Sequence, residues 1–322
     1  MIKNLITGPG FVASHLADLL LEKGEEVYVT YRWTDNQDSF KHIKDKVNWV
    51  LMDLNDLSSC LKVIENVKPD LEAVRIIRNN IGRYTIPQNT DWKYNPTIHV
   101  CSSSEVYGLV TENLVPITEE CRFNPSNPYA VSKVGEDMIA LMYYTNYGLK
   151  IIRTRMFTHT GPRRTMLSAE VAFAKQIAEF EKDFDEITSL KYSPFDQENN
   201  NKVLNKEYIL KHGNLDSVRT WADVRDACKA YYILVRKGEP GEVYNIGGKT
   251  TKTIGEMLDY LISLSPLKNK IIKKIDPKLL RPYDVTLQIP DCYKFIKKTG
   301  WKREIPFEKT MKDLLNWWRE NV

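Results

Sequence analysis

The feature that most constrains this chain is the alternation of short apolar runs with helical periods through its first half. Residues 2–6 (IKNLI) read as a buried strand, and Thr7-Gly8-Pro9-Gly10 as a tight turn. From Ser14 to Lys23 apolar residues recur at helical spacing, and Gly24 supplies a stop. Val27–Thr30 and Val47–Leu51 read as further strands, and Leu57–Val67 as a helix closed by Lys68-Pro69. Thr97–Cys101 reads as a strand, Tyr129–Tyr147 as a long helix, and Leu149–Thr154 as a strand. Two parallel neighbours need a crossover between them, so strands separated by helices imply a parallel sheet. The expected fold class is α/β, with a doubly wound parallel sheet covered by helices.

The second half is less regular. Val171–Phe184, Trp221–Val235 and Phe307–Arg319 read as helices, and Glu242–Gly247 as a short strand. Thr253 begins a capping box with Glu256, which starts a helix running to about Leu264. Asp185–Lys206 is polar, contains a Pro and an Asn run, and reads as a surface insertion. The 322 residues suffice for two ordinary domains at roughly 100–200 residues each. Residues 1–155, with short returning segments near 215–250, are expected to form the doubly wound domain. Residues 156–322 are expected to form mainly a smaller C-terminal α/β domain.

Composition removes several function classes. Hydrophobic residues at 42% and charged residues at 27% are those of a globular chain rather than a disordered one. No apolar run approaches the roughly 20 residues that span a bilayer, so no membrane partner is expected. The first eight residues are broken by Gly-Pro too soon to act as a signal peptide. Cys60, Cys101, Cys121, Cys228 and Cys292 are scattered without a Cys-x-x-Cys, which argues against a disulfide framework or structural zinc and for a reducing, cytoplasmic location. The net charge of +4, from 46 basic and 42 acidic residues, is too weak for nucleic acid but leaves room for a local anion site.

Gly8-Pro9-Gly10-Phe11-Val12-Ala13 fits G-x-G-x-x-A, directly after a strand and before a helix. Glycines let the backbone approach a pyrophosphate, and the helix N-terminus supplies N–H donors. Gly8, Gly10, Phe11 and Val12 are therefore candidate cofactor-binding residues, with an ordinary strand–helix turn as the bland alternative. Arg32, in Thr30-Tyr31-Arg32-Trp33, stands where a carboxylate would bind a ribose 2′-hydroxyl. An arginine there accommodates a 2′-phosphate, so NADP is favoured and NAD is the alternative. Asp53 and Leu54, just past the third strand, are candidates for the adenine end; an ordinary loop aspartate is as compatible with the pattern.

Tyr129-Ala130-Val131-Ser132-Lys133 places a tyrosine and a lysine on one helix face. A nearby ammonium favours the phenolate, which can then act as acid or base. Upstream, a strand ends in Cys101-Ser102-Ser103-Ser104-Glu105-Val106-Tyr107-Gly108. The C-terminal ends of strands form the ligand edge of an open parallel sheet, so Ser103 and Glu105 can meet Tyr129 and Lys133 there. Taken singly, Ser103 reads equally as a cap and Glu105 as a solvated charge.

These motifs together resemble the extended short-chain dehydrogenase/reductases that act on nucleotide sugars, a Rossmann-like family. Phe157-Thr158-His159-Thr160-Gly161-Pro162-Arg163-Arg164, Gly213-Asn214-Leu215-Asp216-Ser217-Val218-Arg219, Tyr244-Asn245-Ile246-Gly247-Gly248 and Arg281-Pro282-Tyr283-Asp284-Val285 are similar to GDP-mannose 4,6-dehydratases. The resemblance implies conversion of GDP-mannose to GDP-4-keto-6-deoxymannose by an internal hydride transfer. Tyr129, helped by Ser103, takes the O4 proton as hydride leaves C4. Glu105 takes the C5 proton as the C6 hydroxyl departs, and hydride returns to C6. Lys133 also holds the nicotinamide ribose. Ser104, Thr158, Asn214, Arg219 and Arg281 become substrate-binding candidates, and Arg163 or Arg164 adds a phosphate contact. His15 is expected to pack. A homodimer or homotetramer is implied. A related GDP-4-keto-6-deoxymannose reductase, another nucleotide-sugar epimerase or reductase, and a non-catalytic nucleotide-sugar-binding relative are the alternatives.

The chain departs from that pattern in places. The phosphate turn is a residue shorter, and Ala13 replaces its last glycine. His159 follows Thr158 where the family has Asn-His. Lys68-Pro69-Asp70 runs straight into Leu71-Glu72-Ala73-Val74-Arg75, so the fourth strand and the loop over the cofactor are expected to be lost. The polar segment 76–96 is longer than the usual connection.

Overall fold

A computed structural model describes residues 2–73, 95–166, 168–191, 205–280 and 287–322. The expected insertion beyond Lys191 and most of segment 76–96 lie outside the described residues. In chain order the first half runs β1 (Lys3–Thr7), α1 (Phe11–Glu22), β2 (Glu26–Tyr31), β3 (Asn48–Leu51), α2 (Leu57–Val67), β4 (Leu71–Ala73), β5 (Thr97–Ser103), α3 (Pro128–Tyr147) and β6 (Ile151–Met156). The second half adds β7 (His159–Thr160), α4 (Ala169–Lys191), β8 (Tyr208–His212), β9 (Val218–Asp223), α5 (Val224–Lys237), β10 (Val243–Ile246) and β11 (Thr250–Thr253). It closes with α6 (Ile254–Ser263), β12 (Ile271–Ile275), β13 (Leu287–Gln288), α7 (Tyr293–Thr299) and α8 (Phe307–Asn321).

Among the described residues, seven strands form one parallel sheet in the order β10-β6-β5-β4-β1-β2-β3. The order reverses direction at β1, which makes the sheet doubly wound. Period-two alternation sends Leu5 to one face, where it packs with Cys60, Val63 and Val67 of α2. Ile6 goes to the other face, against Leu16 and Leu20 of α1 and Val224 and Cys228 of α5. At the far side of the sheet Val100 and Ile151 pack on Ala140 of α3. A separate core joins α4, α6 and α8 through Phe173, Ile177, Met257, Leu261, Leu314 and Trp318. It adjoins the small sheet β11-β9-β13, with β7 beside β9. No helix among the described residues is long and apolar enough to cross a membrane.

The structure corrects four expectations. The fourth strand is present: Leu71–Ala73 pairs with β1 on one side and β5 on the other. A central strand of a parallel sheet needs only backbone donors and acceptors from its residues, and three residues supply them. Such a strand is too short to show a period in the sequence. Trp221 lies in β9, not at the start of a helix. The helix begins three residues later because Asp223 caps it, accepting the Arg225 N–H at 2.8 Å. The helix expected to end at Phe184 continues to Lys191, since no Gly or Pro interrupts Asp185–Lys191. The strand after Gly148 spans Ile151–Met156, so Arg153 and Arg155 lie inside the sheet.

Candidate active site

The turn after β1 retains a phosphate-binding geometry despite its length. Gly8 has φ +84°, and its N–H donates to Thr30 Oγ1 at 3.1 Å. Gly10 is extended, and a Cβ built on Gly8 or Gly10 would meet no atom within 4 Å. The first turn of α1 has neither a capping side chain nor an acidic residue. Its leading N–H groups, at Phe11 and Val12, therefore face that open cradle without an internal competitor, which fits a dinucleotide pyrophosphate. The Phe11 ring turns inward, stacked on His159 with centroids 6.3 Å apart. The Val12 carbonyl accepts the Cys228 thiol. These two residues offer the cradle backbone donors.

The adenosine end is partly occupied by the chain's own contacts. Arg32 is exposed, and its Nε and Nη2 donate to Asp35 Oδ1 at 3.2 and 3.0 Å. Asp35 Oδ2 also accepts the Arg32 backbone N–H at 2.9 Å. Asp53 Oδ1 accepts the Asn55 N–H at 2.9 Å, and Leu54 packs on the Leu5 and Met52 core.

The chemistry-bearing residues meet where β5 ends and α3 begins. Asn127 caps α3, accepting the Ala130 N–H on Oδ1 at 2.8 Å, and Pro128 is pre-set for the first helical position. Tyr129 in that first turn is half-exposed. One turn on, Lys133 is buried with Nζ 6.0 Å from the centre of the Tyr129 ring. Its ammonium donates to the Cys101 carbonyl and to Glu136 Oε2, both at 2.7 Å, leaving one N–H for the cleft. Ser103 caps the short turn Ser104–Tyr107, its Oγ accepting the Glu105 N–H at 3.2 Å while its own O–H stays available to donate. Glu105 is held by two amides: Asn127 Nδ2 donates to Oε2 at 3.2 Å, and Gln288 Nε2 to Oε1 at 2.9 Å.

Other expected ligand contacts are distributed differently. Ser104 is buried, and its hydroxyl donates to Gln288 Oε1 at 3.2 Å, so it faces the protein. The Thr158 carbonyl accepts the Ala222 N–H at 3.0 Å. Asn214 Oδ1 accepts the Asp216 N–H at 2.9 Å, shaping its loop. Arg219 is half-buried on β9, directly opposite Gln288 in the register with β13. Arg281 lies outside the described residues.

The phosphate role expected of Arg163 or Arg164 does not fit their surroundings. Arg163 binds Asp18 Oδ2 and His42 Nε2, each at 2.7 Å, together with His15 Nδ1. Arg164 pairs with Glu170 at 3.0 Å and with the His159 carbonyl. Both cations are matched inside the chain, a fact the sequence shows only as charge. Burial, with Arg163 beside it, pulls the His15 imidazole down to about 4. Burial and Arg164 pull His159 to about 4 as well. Neither is charged at neutral pH, so each packs as a neutral ring.

A buried polar layer supports the site from below, and the sequence reading did not find it. Asp137 of α3 accepts Arg153 Nη1 at 2.8 Å and Arg155 Nε at 2.9 Å, with its side chain fully buried. Arg155 also donates to the Tyr107 hydroxyl at 3.0 Å, which donates to Asn245 Oδ1 at 2.7 Å. Burial pushes the Tyr107 phenol up to about 12, so it stays neutral and fixes the turn carrying Glu105. The available signal was two arginines at alternate positions of an apolar strand, Ile151-Ile152-Arg153-Thr154-Arg155, which requires a buried partner. Gln288 and Asn127 carried no such local signal.

Two family models match the chain. The model described as NAD dependent epimerase/dehydratase family covers residues 71–247. That described as GDP-mannose 4,6 dehydratase covers residues 5–77 and 197–314. A GDP-6-deoxy-D-mannose reductase of Pseudomonas aeruginosa is 28% identical over 71% of this chain and 68% of its own length. A GDP-mannose 4,6-dehydratase of Yersinia enterocolitica is 25% identical over 98% of this chain and 93% of its own length. The crystal structure of a dTDP-glucose 4,6-dehydratase from Bacillus anthracis in complex with NAD superposes with TM-score 0.74 at 22% identity, covering 100% of this chain and 97% of that one. A strand–turn–helix cradle, a Tyr-x-x-x-Lys helix at the end of β5, and these matches lead to one conclusion: the chain belongs to the NAD dependent epimerase/dehydratase family, the extended short-chain dehydrogenase/reductases.

Proposed function

We propose that this chain is a nucleotide-sugar 4,6-dehydratase whose substrate is GDP-mannose and whose cofactor is NADP. The observation that carries the reading is Glu105, a carboxylate fixed by Asn127 and Gln288 beside the Tyr129–Lys133 helix. A reductase needs Ser103, Tyr129 and Lys133 but no further base, whereas elimination of water requires one. A nicotinamide dinucleotide, held by the Gly8–Gly10 turn and Lys133, would supply the reversible hydride acceptance that an internal redox cycle between C4 and C6 of the hexose needs. The chain's residues supply the proton chemistry. Tyr129 takes the O4 proton, and the Ser103 O–H donates to the same oxygen. Glu105 takes the C5 proton, made acidic by the C4 ketone, and passes it to the departing C6 hydroxyl, which leaves as water; the proton that Tyr129 took from O4 balances the one C5 regains when C6 is reduced. Lys133, with two N–H groups tied, has a third to offer the nicotinamide ribose. The exposed Arg32 guanidinium supports the 2′-phosphate form of the cofactor. A reducing, cytoplasmic setting belongs to the same reading, supported by the scatter of the five cysteines along the sequence without a Cys-x-x-Cys.

The test is incubation with GDP-mannose and a catalytic amount of NADP⁺, followed by mass spectrometry. Loss of water without net cofactor change is the expected result. Dehydration of dTDP-glucose instead would reassign the nucleotide. Stoichiometric consumption of NADPH with a 4-keto-6-deoxy sugar would make the chain a reductase. Failure to bind NADPH at millimolar concentration would leave a non-catalytic nucleotide-sugar-binding protein.

A further inference from the structure

We propose that Gln288 is a positioning residue for Glu105; this rests on the reading of Glu105 as the base. Gln288 is 3% exposed, on the two-residue strand β13, and lies between Leu287 and Ile289 in the sequence. A buried amide is unfavourable unless its polar ends are bonded, so its presence there needs a reason. Its carbonyl end accepts the Ser104 hydroxyl at 3.2 Å. That contact sets the amide's sense: the NH₂ end must face Glu105, where it donates to Oε1 at 2.9 Å.

The backbone leaves Gln288 little freedom to drift. On one side β13 pairs with β9, Gln288 opposite Arg219. On the other, the Ile289 carbonyl accepts the Ile117 N–H and the Asp291 N–H donates to the Ile117 carbonyl, each at 2.8 Å. Asn127 is oriented in the same manner, its carbonyl end locked to the N-terminus of α3 and its NH₂ end on Glu105 Oε2. Each carboxylate oxygen thus carries one amide N–H. A carboxylate has about four lone-pair directions, so about two remain open for a proton taken from carbon. Amides neither take nor give protons near neutrality, so both neighbours orient Glu105 without competing for what it removes.

The experiment compares Gln288→Met, which keeps volume and packing but removes both hydrogen bonds, with Ser104→Ala, which leaves Gln288 in place but frees its carbonyl end. Glu105→Gln is the control for the base itself. Two rates are read: turnover of the nucleotide sugar, and enzyme-catalysed exchange of the C5 proton of the 4-keto-6-deoxy product with D₂O, followed by NMR. Affinity for GDP is measured by calorimetry. With Gln288 as positioning residue, Gln288→Met slows turnover and C5 exchange together, by roughly 10- to 100-fold, while KM and GDP affinity stay within about threefold. Ser104→Ala gives a smaller loss of the same kind. Wild-type exchange and turnover in Gln288→Met, with exchange abolished in Glu105→Gln, overturns the role of Gln288 and leaves the base reading intact. Wild-type exchange in Glu105→Gln overturns the base reading itself. A parallel loss of GDP affinity and thermal stability in Gln288→Met shows a merely structural residue; should that variant not fold, Ser104→Ala decides by the same two rates.

Discussion

Replacing Gly10 by alanine separates what the phosphate turn does for folding from what it does for the cofactor. Gly10 has φ −84° and ψ −178°, a conformation open to alanine, and the new Cβ would touch nothing within 4 Å. Two small folding effects oppose each other. Alanine reduces the freedom of the unfolded chain, which stabilises by about 0.4–1 kcal/mol. Alanine is also the poorer N-cap for α1, which costs about 0.5–1 kcal/mol. The net change is expected to lie within about 0.5 kcal/mol. At about 2 cal/mol/K of unfolding entropy per residue, this moves Tm by less than about 1 °C. Gly8→Ala is the contrast: at φ +84° alanine is strained by about 1–2 kcal/mol, so Tm falls by roughly 2 °C or more. In the cradle, however, the methyl introduced by Gly10→Ala occupies the space a pyrophosphate oxygen needs. A tenfold or greater loss of dinucleotide affinity, at least about 1.4 kcal/mol, is expected. Thermal melts without ligand and NADPH fluorescence titrations measure the two quantities. NADPH binding by Gly10→Ala within twofold of the parent would refute the assignment of this turn; a drop of several degrees without ligand would refute the packing argument.

Asp137→Ala leaves Arg153 and Arg155 buried without their shared carboxylate, and urea unfolding should show a loss of about 3–5 kcal/mol; a loss under about 1 kcal/mol contradicts the role given to this cluster. His15, His99 and His159 are held by burial at about 4, 3 and 4, below their usual value near 6.5. A lowered folded pKa means the unfolded chain binds these protons first, so stability is full above about pH 6.5 and falls toward pH 4, by about 2 kcal/mol per histidine at pH 5. A flat urea-derived stability between pH 7 and 5 contradicts this, and His99→Phe should reduce the slope by about one proton. Asp35→Asn releases the Arg32 guanidinium and should raise affinity for NADP roughly three- to tenfold with little change for NAD, while Arg32→Ala does the reverse. Equal effects on both cofactors in titration would remove Arg32 from the 2′-phosphate site.

The parts of the fold that were legible are those with long local patterns. Leu57–Val67 was read to the residue, and α1, α3, α6 and α8 within a few residues, because periodicity and caps are local. The strands β8, β11, β12 and β13 went unread. Each is two to five residues long and is defined by its partner across the sheet rather than by its own sequence. The same holds for the site. Ser103 and Glu105 lie on one strand end and Tyr129 and Lys133 on the next helix, so spacing brings them together. Gln288 joins them from 183 residues away through the β9–β13 register, which only tertiary structure reveals. Arg163 and Arg164 mark the opposite error, since their charges were visible and the groups neutralising them were not.

The three-residue strand β4 has a mechanical consequence. The large sheet consists of two blocks, β3-β2-β1 and β5-β6-β10, joined by backbone bonds through Leu71–Ala73. The Gly8–Gly10 cradle belongs to one block, whereas Ser103 and the helix carrying Tyr129 belong to the other. A dinucleotide spanning that seam is in effect a splint across the narrowest joint of the sheet. Opening of the joint and release of the ligand become coupled motions. Amide hydrogen exchange at Leu71–Ala73 should therefore slow on cofactor binding more than exchange within either block, making the shortest strand of the large sheet a gauge of occupancy.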